Sequence, residues 1–179
     1  MRKWNLFFVI GMLVTFLLHG IMGSLKLAGA DADAQTTVAW ISVGFLCGHV
    51  IISSILTGKS LHARRLSGAG YFRDNQLFWI RRISGLLILI PLVLHLLVFR
   101  SGNAGAFRLQ VFTTGRLISQ LLLVAAIALH VLTNVKPALI SMGVRDTKSF
   151  SRDLIMILAF MLLLFGIAFA IYYTRWMSL

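Results

Sequence analysis

Apolar residues fall in five long runs along the chain, over 6–25, 38–56, 83–99, 117–135 and 154–173, with polar residues gathered between them. Within the runs the hydrophobic positions follow neither the two-residue period of a half-buried strand nor the narrow stripe of a surface helix. Each run is nearly continuous and approaches the roughly 20 residues a helix needs to cross a bilayer. Lipid offers the backbone no hydrogen-bond partners, so such a run satisfies its own peptide groups by becoming a helix. The pattern predicts an all-α integral membrane protein: five transmembrane helices with short connections, forming one domain over 1–179. The first run has a basic front but no small-residue cleavage pattern, and four more follow. It reads as a retained helix rather than a signal peptide.

Composition agrees with this class. Hydrophobic residues make up 59% of the chain and the mean hydropathy is +0.90, well above a soluble domain. Charge adds an orientation. Of the 17 Lys and Arg, twelve lie at the N-terminus, in the second connection (Lys59, Arg64, Arg65, Arg73, Arg81, Arg82) and in the fourth (Lys136, Arg145, Lys148, Arg152). The other five are Lys26, Arg100, Arg108, Arg116 and Arg175. The positive-inside rule then sets the N-terminus in the cytoplasm and the C-terminus outside, in a cell's inner membrane. Trp4 and Trp79 fall at the inner interface, Trp40 and Trp176 at the outer. Topology and anionic headgroups account for the net charge of +12 without nucleic acid.

Ionisable groups within the runs are few. His19, His49, His95 and His130 occupy the first four runs, one each, and the fifth has none. His62 lies in the basic connection and reads as solvated. The chain contains no Glu, and its five acidic residues are Asp in connections or at helix ends, which weighs against a proton-relay transporter. Cys47 is the only cysteine. No disulfide framework and no C-x-x-C-H attachment site for c-type haem can be built, and Cys47 reads as a buried packing residue.

Depth separates the histidines. Runs one and three go outward, two and four inward. At about 1.5 Å per residue, His19 and His95 lie roughly 18–20 Å above the inner ends of their runs, and His49 and His130 roughly 18–20 Å below the outer ends. The four thus resolve into an outer pair, His19 with His95, and an inner pair, His49 with His130, roughly 8–12 Å apart in depth. Neutral imidazoles on separate helices are suited to grip one haem from both faces. Zinc wants three or four ligands at one point, and copper transport favours Met or Cys clusters, whereas the seven Met here are scattered. The competing reading is four independently hydrogen-bonded core histidines. Gly20 and Gly23, and Gly44 and Gly48, let a macrocycle or another helix approach closely. Haem propionates want cations: Lys26, Arg100 and Arg116 are available outside, Arg81, Arg82 and Lys136 inside.

Three stretches carry a resemblance. "RRISGLLILIPLVLHLL" resembles a helix with an arginine–serine–glycine start and a late histidine in the cytochrome b anchors of succinate dehydrogenases and fumarate reductases. "LLHGIMGSLK" is similar to the L-H-G-x-x-G stretch of another haem-ligand helix there, and "LHVLTNVK" to a third. The five-helix, dihaem members are the comparison. The resemblance implies two bis-histidine b haems, His19 and His95 on the outer and His49 and His130 on the inner. It also implies a quinone pocket marked by Arg82 and Ser84 at the inner surface. Two departures stand out. The helix without a ligand is the middle one in that family and the last here, and the H-G-x-x-G helix comes first here.

The expected function is therefore electron transfer between the quinone pool and a partner redox subunit, a soluble flavoprotein or iron–sulfur protein. The chain itself has no flavin or nucleotide motif. Two other readings stay open: a stand-alone dihaem cytochrome of the b561 type, and a structural or transport protein without haem. Asp31 and Asp33 could take protons at an outer site, though a solvated loop accounts for them. Lipid, quinone and further copies of the chain complete the expected partners.

Overall fold

The computed structural model describes residues 2–30, 34–68, 75–99 and 112–177, apart from the side chains of Arg2 and Trp176. Asp31, Asp33, Arg73, Arg100 and Arg108, and the interface expected of Trp176, lie outside what is described. The described residues form five helices: α1 (Arg2–Leu27), α2 (Gln35–Ser67), α3 (Gln76–Val98), α4 (Thr114–Ser141) and α5 (Thr147–Met177). All five are long and apolar enough to span a membrane, the architecture of a multi-pass membrane protein.

The helices outrun the hydrophobic runs at several ends. At 33 residues, α2 is about 50 Å long against a hydrocarbon core of about 30 Å. Lys59, Arg64 and Arg65, expected in a connection, are a helical extension, and His62 is an exposed residue on it. Leu, Ala, Lys and Arg all propagate helix well. The helix ends only at Gly68, whose φ of 65° and N–H bond to the Arg64 carbonyl make a left-handed C-cap. In the same way α3 begins before Arg81 and Arg82, and α4 runs through Lys136 and Pro137.

By internal contacts the chain forms two compact units, one of residues 1–76 and 136–147, the other of 77–135 and 148–179. The first is built on the antiparallel pair α1 and α2. Its packing is reciprocal: the Phe8 ring lies where a Cβ on Gly48 would be, and the Phe45 ring lies where a Cβ on Gly11 would be. The two halves of this lock share the pattern F-x-x-G, "FVIG" and "FLCG". Around it the rings of Phe7, Phe8 and Phe45 meet at centroid distances of 5.4–6.2 Å. Gly48 therefore serves helix packing, while Gly44 faces open space. Gly48→Ala is expected to destabilise the protein by about 1–3 kcal/mol through overpacking. A lowered thermal midpoint in detergent, recovered in part by adding Phe8→Ala, would check it.

In the second unit α3, α4 and α5 pack together. Leu123, Leu158, Leu162, Phe165 and Tyr172 are buried. One end is an aromatic cluster in which Phe112 stacks on Phe169 at 6.3 Å and an interplanar angle of 10°, with Phe99 and Tyr172 against them. Thr113 caps α4, its Oγ1 accepting the Arg116 N–H at 3.4 Å. Polarity is arranged opposite to a soluble domain. Ser84 and Gln120 are 1% and 0% exposed, whereas Leu86 and Ile90 on α3 are 66% and 68% exposed. Cys47 is exposed rather than a packing residue, because the α1-facing side of α2 is taken by Phe45 and Gly48.

Candidate functional site

The second unit places two polar rungs between α3 and α4. At the first, the His130 ring on α4 meets α3 at Ser84 and Gly85. Its Nδ1 lies 3.1 Å from the Arg81 carbonyl oxygen and 3.1 Å from Ser84 Oγ. Ser84 Oγ in turn donates to the same carbonyl at 3.2 Å. A carbonyl only accepts, so an unprotonated Nδ1 would face its lone pairs. The proton belongs on Nδ1, and Nε2 carries the imidazole lone pair. Gly85 makes the approach possible, since a Cβ there would stand 3.0 Å from His130 Cε1 and 3.3 Å from Nδ1.

Pro137 helps to build this rung. It sits inside α4 and has no N–H, so the Thr133 carbonyl four residues earlier lacks its helical donor. Arg81 Nε donates to that carbonyl at 3.0 Å. Arg81 thus ties α3 to α4 with its side chain and receives His130 with its own carbonyl. Asn134 Nδ2 donates to the His130 carbonyl at 2.6 Å, and the Arg82 guanidinium lies 5.1 Å from the Phe78 ring centroid.

The second rung joins His95 on α3 to Gln120 on α4, with Nδ1 and Oε1 2.6 Å apart. The amide orientation is fixed independently: the Ser119 hydroxyl donates its one hydrogen to the Arg116 carbonyl at 2.7 Å, so its oxygen accepts from Gln120 Nε2 at 3.1 Å. The oxygen facing His95 is an acceptor, so Nδ1 carries the proton and Nε2 the lone pair here as well. Phe99 and Phe169 flank the ring, at centroid distances of 5.0 and 6.5 Å. His95 lies ten residues past Gly85, and Gln120 lies ten residues before His130. On both helices the rungs are therefore about 15 Å apart, more than the 8–12 Å expected from the run ends. The apolar run of α4 starts at 117, but the residue level with His95 is Gln120, and counting from the run end misplaced the second histidine.

The first unit has the same two-level plan. Gly48 faces Phe8 and Gly11 faces Phe45, so His49 is level with Phe7, and His19 lies twelve residues beyond Phe7 on α1, about 18 Å along the axis. Ser53 Oγ stands 3.5 Å from both ring nitrogens of His49 and 3.4 Å from Asn5 Oδ1, contacts too long to select a tautomer. Lys26 is in the last turn of α1, where a cation complements the helix dipole, two turns beyond His19. Arg116 is one turn before Gln120 on α4, and Lys136 is exposed.

Sequence reasoning located the histidines, Arg81 and Ser84, and missed Gln120, Gly85, Thr133 and Pro137. Gln120 was visible as an amide within an apolar run, and Gly85 and His95 repeat the ten-residue spacing of Gln120 and His130. Among the described residues no three His, Cys, Asp or Glu side chains converge on one point. The donor set fits axial ligation. A metal-binding imidazole commonly donates its second N–H to a carbonyl or side-chain oxygen, which fixes the tautomer and strengthens the donor, and His95 and His130 both have that partner. Compared with known protein families, curated proteins and solved structures, the chain matches none of them.

Proposed function

We propose that this protein is a membrane dihaem b cytochrome, a cytochrome b anchor of the succinate dehydrogenase and fumarate reductase type, passing electrons between quinone and a partner redox subunit. The observation that carries the reading is the two-level plan repeated in both helix pairs: two histidines about 15 Å apart in one and about 18 Å apart in the other. On the expectation from the sequence, His19 and His95 would hold one haem and His49 and His130 the other. Haem b, when bound, supplies a one-electron carrier at each level.

The residues of the chain do the rest. Arg81 O and Ser84 hold His130 in the ligating tautomer. Arg82, stacked on Phe78 at the same end of α3, offers N–H donors to a quinone oxygen, and with Lys136 to propionates. Lys26 and Arg116 stand ready for propionates at the other level. With the N-terminus in the cytoplasm, the Arg82 end is the inner one. A quinol bound there would lose two protons to water on oxidation, and haem b, when bound, would supply the acceptor for its two electrons. A flavoprotein or iron–sulfur partner would exchange electrons at the protein surface.

The test is optical and kinetic. Purified protein should show the sharp reduced α band of low-spin haem b, and a menaquinol analogue should reduce it without a soluble dehydrogenase. A charge-assisted hydrogen bond contributes roughly 1.5–3 kcal/mol, so Arg82→Ala should slow that reduction about tenfold or more with haem content unchanged. Colourless protein under haem-replete expression would end the reading. Equal rates in parent and variant would remove Arg82 from the quinone site.

A further inference from the structure

Gln120 is the most completely buried polar side chain of the second unit, at 0% exposure, in a helix whose other inward residues are mostly apolar. A buried amide without partners is costly, and both of its polar atoms are engaged. Nε2 holds Ser119 Oγ at 3.1 Å, and Oε1 lies 2.6 Å from His95 Nδ1. Because the Ser119 hydroxyl donates to the Arg116 carbonyl at 2.7 Å, it can only accept from Gln120, and this fixes which end of the amide faces the imidazole. An isolated imidazole in water favours the opposite tautomer, with its proton on Nε2, which could not coordinate a metal through that nitrogen. The oxygen of Gln120 reverses the preference.

We propose that Gln120 is the positioning residue of His95: it fixes the tautomer that presents Nε2, and through the Nδ1 hydrogen bond it sets how strongly that nitrogen donates to haem iron. This rests on the proposed haem function, and it adds a residue whose partner only the geometry reveals. The two rungs differ in kind. His130 bonds a backbone carbonyl, which substitution cannot remove, whereas His95 bonds a side chain, which substitution can. One level is therefore adjustable by a single residue. A stronger acceptor gives the imidazole more imidazolate character and stabilises ferric over ferrous iron.

Two substitutions separate acceptor strength from packing. Gln120→Leu keeps the volume and removes the acceptor, and Gln120→Glu keeps an oxygen there and strengthens it. In redox titrations of the purified full-length protein, the midpoint of one haem should rise in Gln120→Leu and fall in Gln120→Glu, while the other haem stays put. Shifts of the same sign, or none, would overturn the assignment. A second measurement does not require haem. In full-length protein produced with haem synthesis blocked and labelled with 15N-histidine, the His95 signals, identified by their loss in His95→Phe, should report Nδ1–H in the parent and in Gln120→Glu. They should report Nε2–H in Gln120→Leu. Nδ1–H in all three would overturn the role of Gln120. If the protein bound no haem but the tautomer moved as stated, the proposed function would fail while Gln120 kept its hold on His95.

Discussion

Replacing His130 with alanine should abolish one low-spin haem signal and leave the second at full intensity, and replacing His95 should do the reverse. On both α3 and α4 the His95 and His130 rungs are ten residues apart, about 15 Å along the axis. Metal–imidazole bonds are about 2 Å long, so one iron cannot reach both rings, and on the proposed function each histidine would serve a different haem. The pairing by depth extends the expectation. His19→Ala should reproduce the spectrum of His95→Ala, and His49→Ala that of His130→Ala. Haem content by pyridine haemochrome and the low-temperature α band together give the readout. Loss of one and the same signal in His95→Ala and His130→Ala would refute the two-level assignment. Loss of the same signal in His19→Ala and His49→Ala would refute the pairing.

The five spans were legible because an apolar run is a property of composition, and composition is read directly. Their ends were not. A helix stops where its hydrogen bonds stop, and nothing between Thr57 and Ser67 prevents α2 from continuing, although hydropathy falls there. Pro137 is the instructive case. A proline after "LHVLTNVK" reads as a terminator, yet α4 continues to Ser141. The carbonyl that the proline frees is met by Arg81 from another helix, a partner that no local rule supplies.

The candidate site was legible where charge or a titratable ring marked it, as with His95 and Arg81. It was hidden where the chemistry lay in a neutral group or a missing one. Gln120 carries no charge, and Gly85 acts through the absence of a Cβ. Arg81 was expected to hold a propionate by its side chain. Its Nε donates to Thr133 and its carbonyl receives His130, a further role that belongs to backbone geometry and has no sequence signature. Cys47 was expected inside because cysteine usually is, but only the rings opposite it decide which side of α2 is inward.

Gly85 should tolerate no branched side chain. A Cβ there would stand 3.0 Å from His130 Cε1 and 3.3 Å from Nδ1, so even alanine requires the ring to retreat by a few tenths of an ångström. The ring cannot slide far, because Nδ1 is held to the Arg81 carbonyl on the same turn of α3. In Gly85→Ala the hydrogen bond should lengthen and the haem should stay, with a small change in the midpoint of the level that His130 serves. In Gly85→Val a γ-methyl enters space the imidazole needs. Either His130 leaves its seat or α3 and α4 separate, and overpacking of this kind costs about 1–3 kcal/mol. The expected result is loss of one haem, the same one that His130→Ala removes, with the other retained. Combining Gly85→Val with His130→Ala should cause no further haem loss, since both act on one rung. Full retention of both haems in Gly85→Val would mean that His130 does not ligate from this seat. Loss of both would mean that the substitution had disrupted the packing of α3 on α4 as a whole, and then Gly85→Ala, with its shift confined to one midpoint, decides the case.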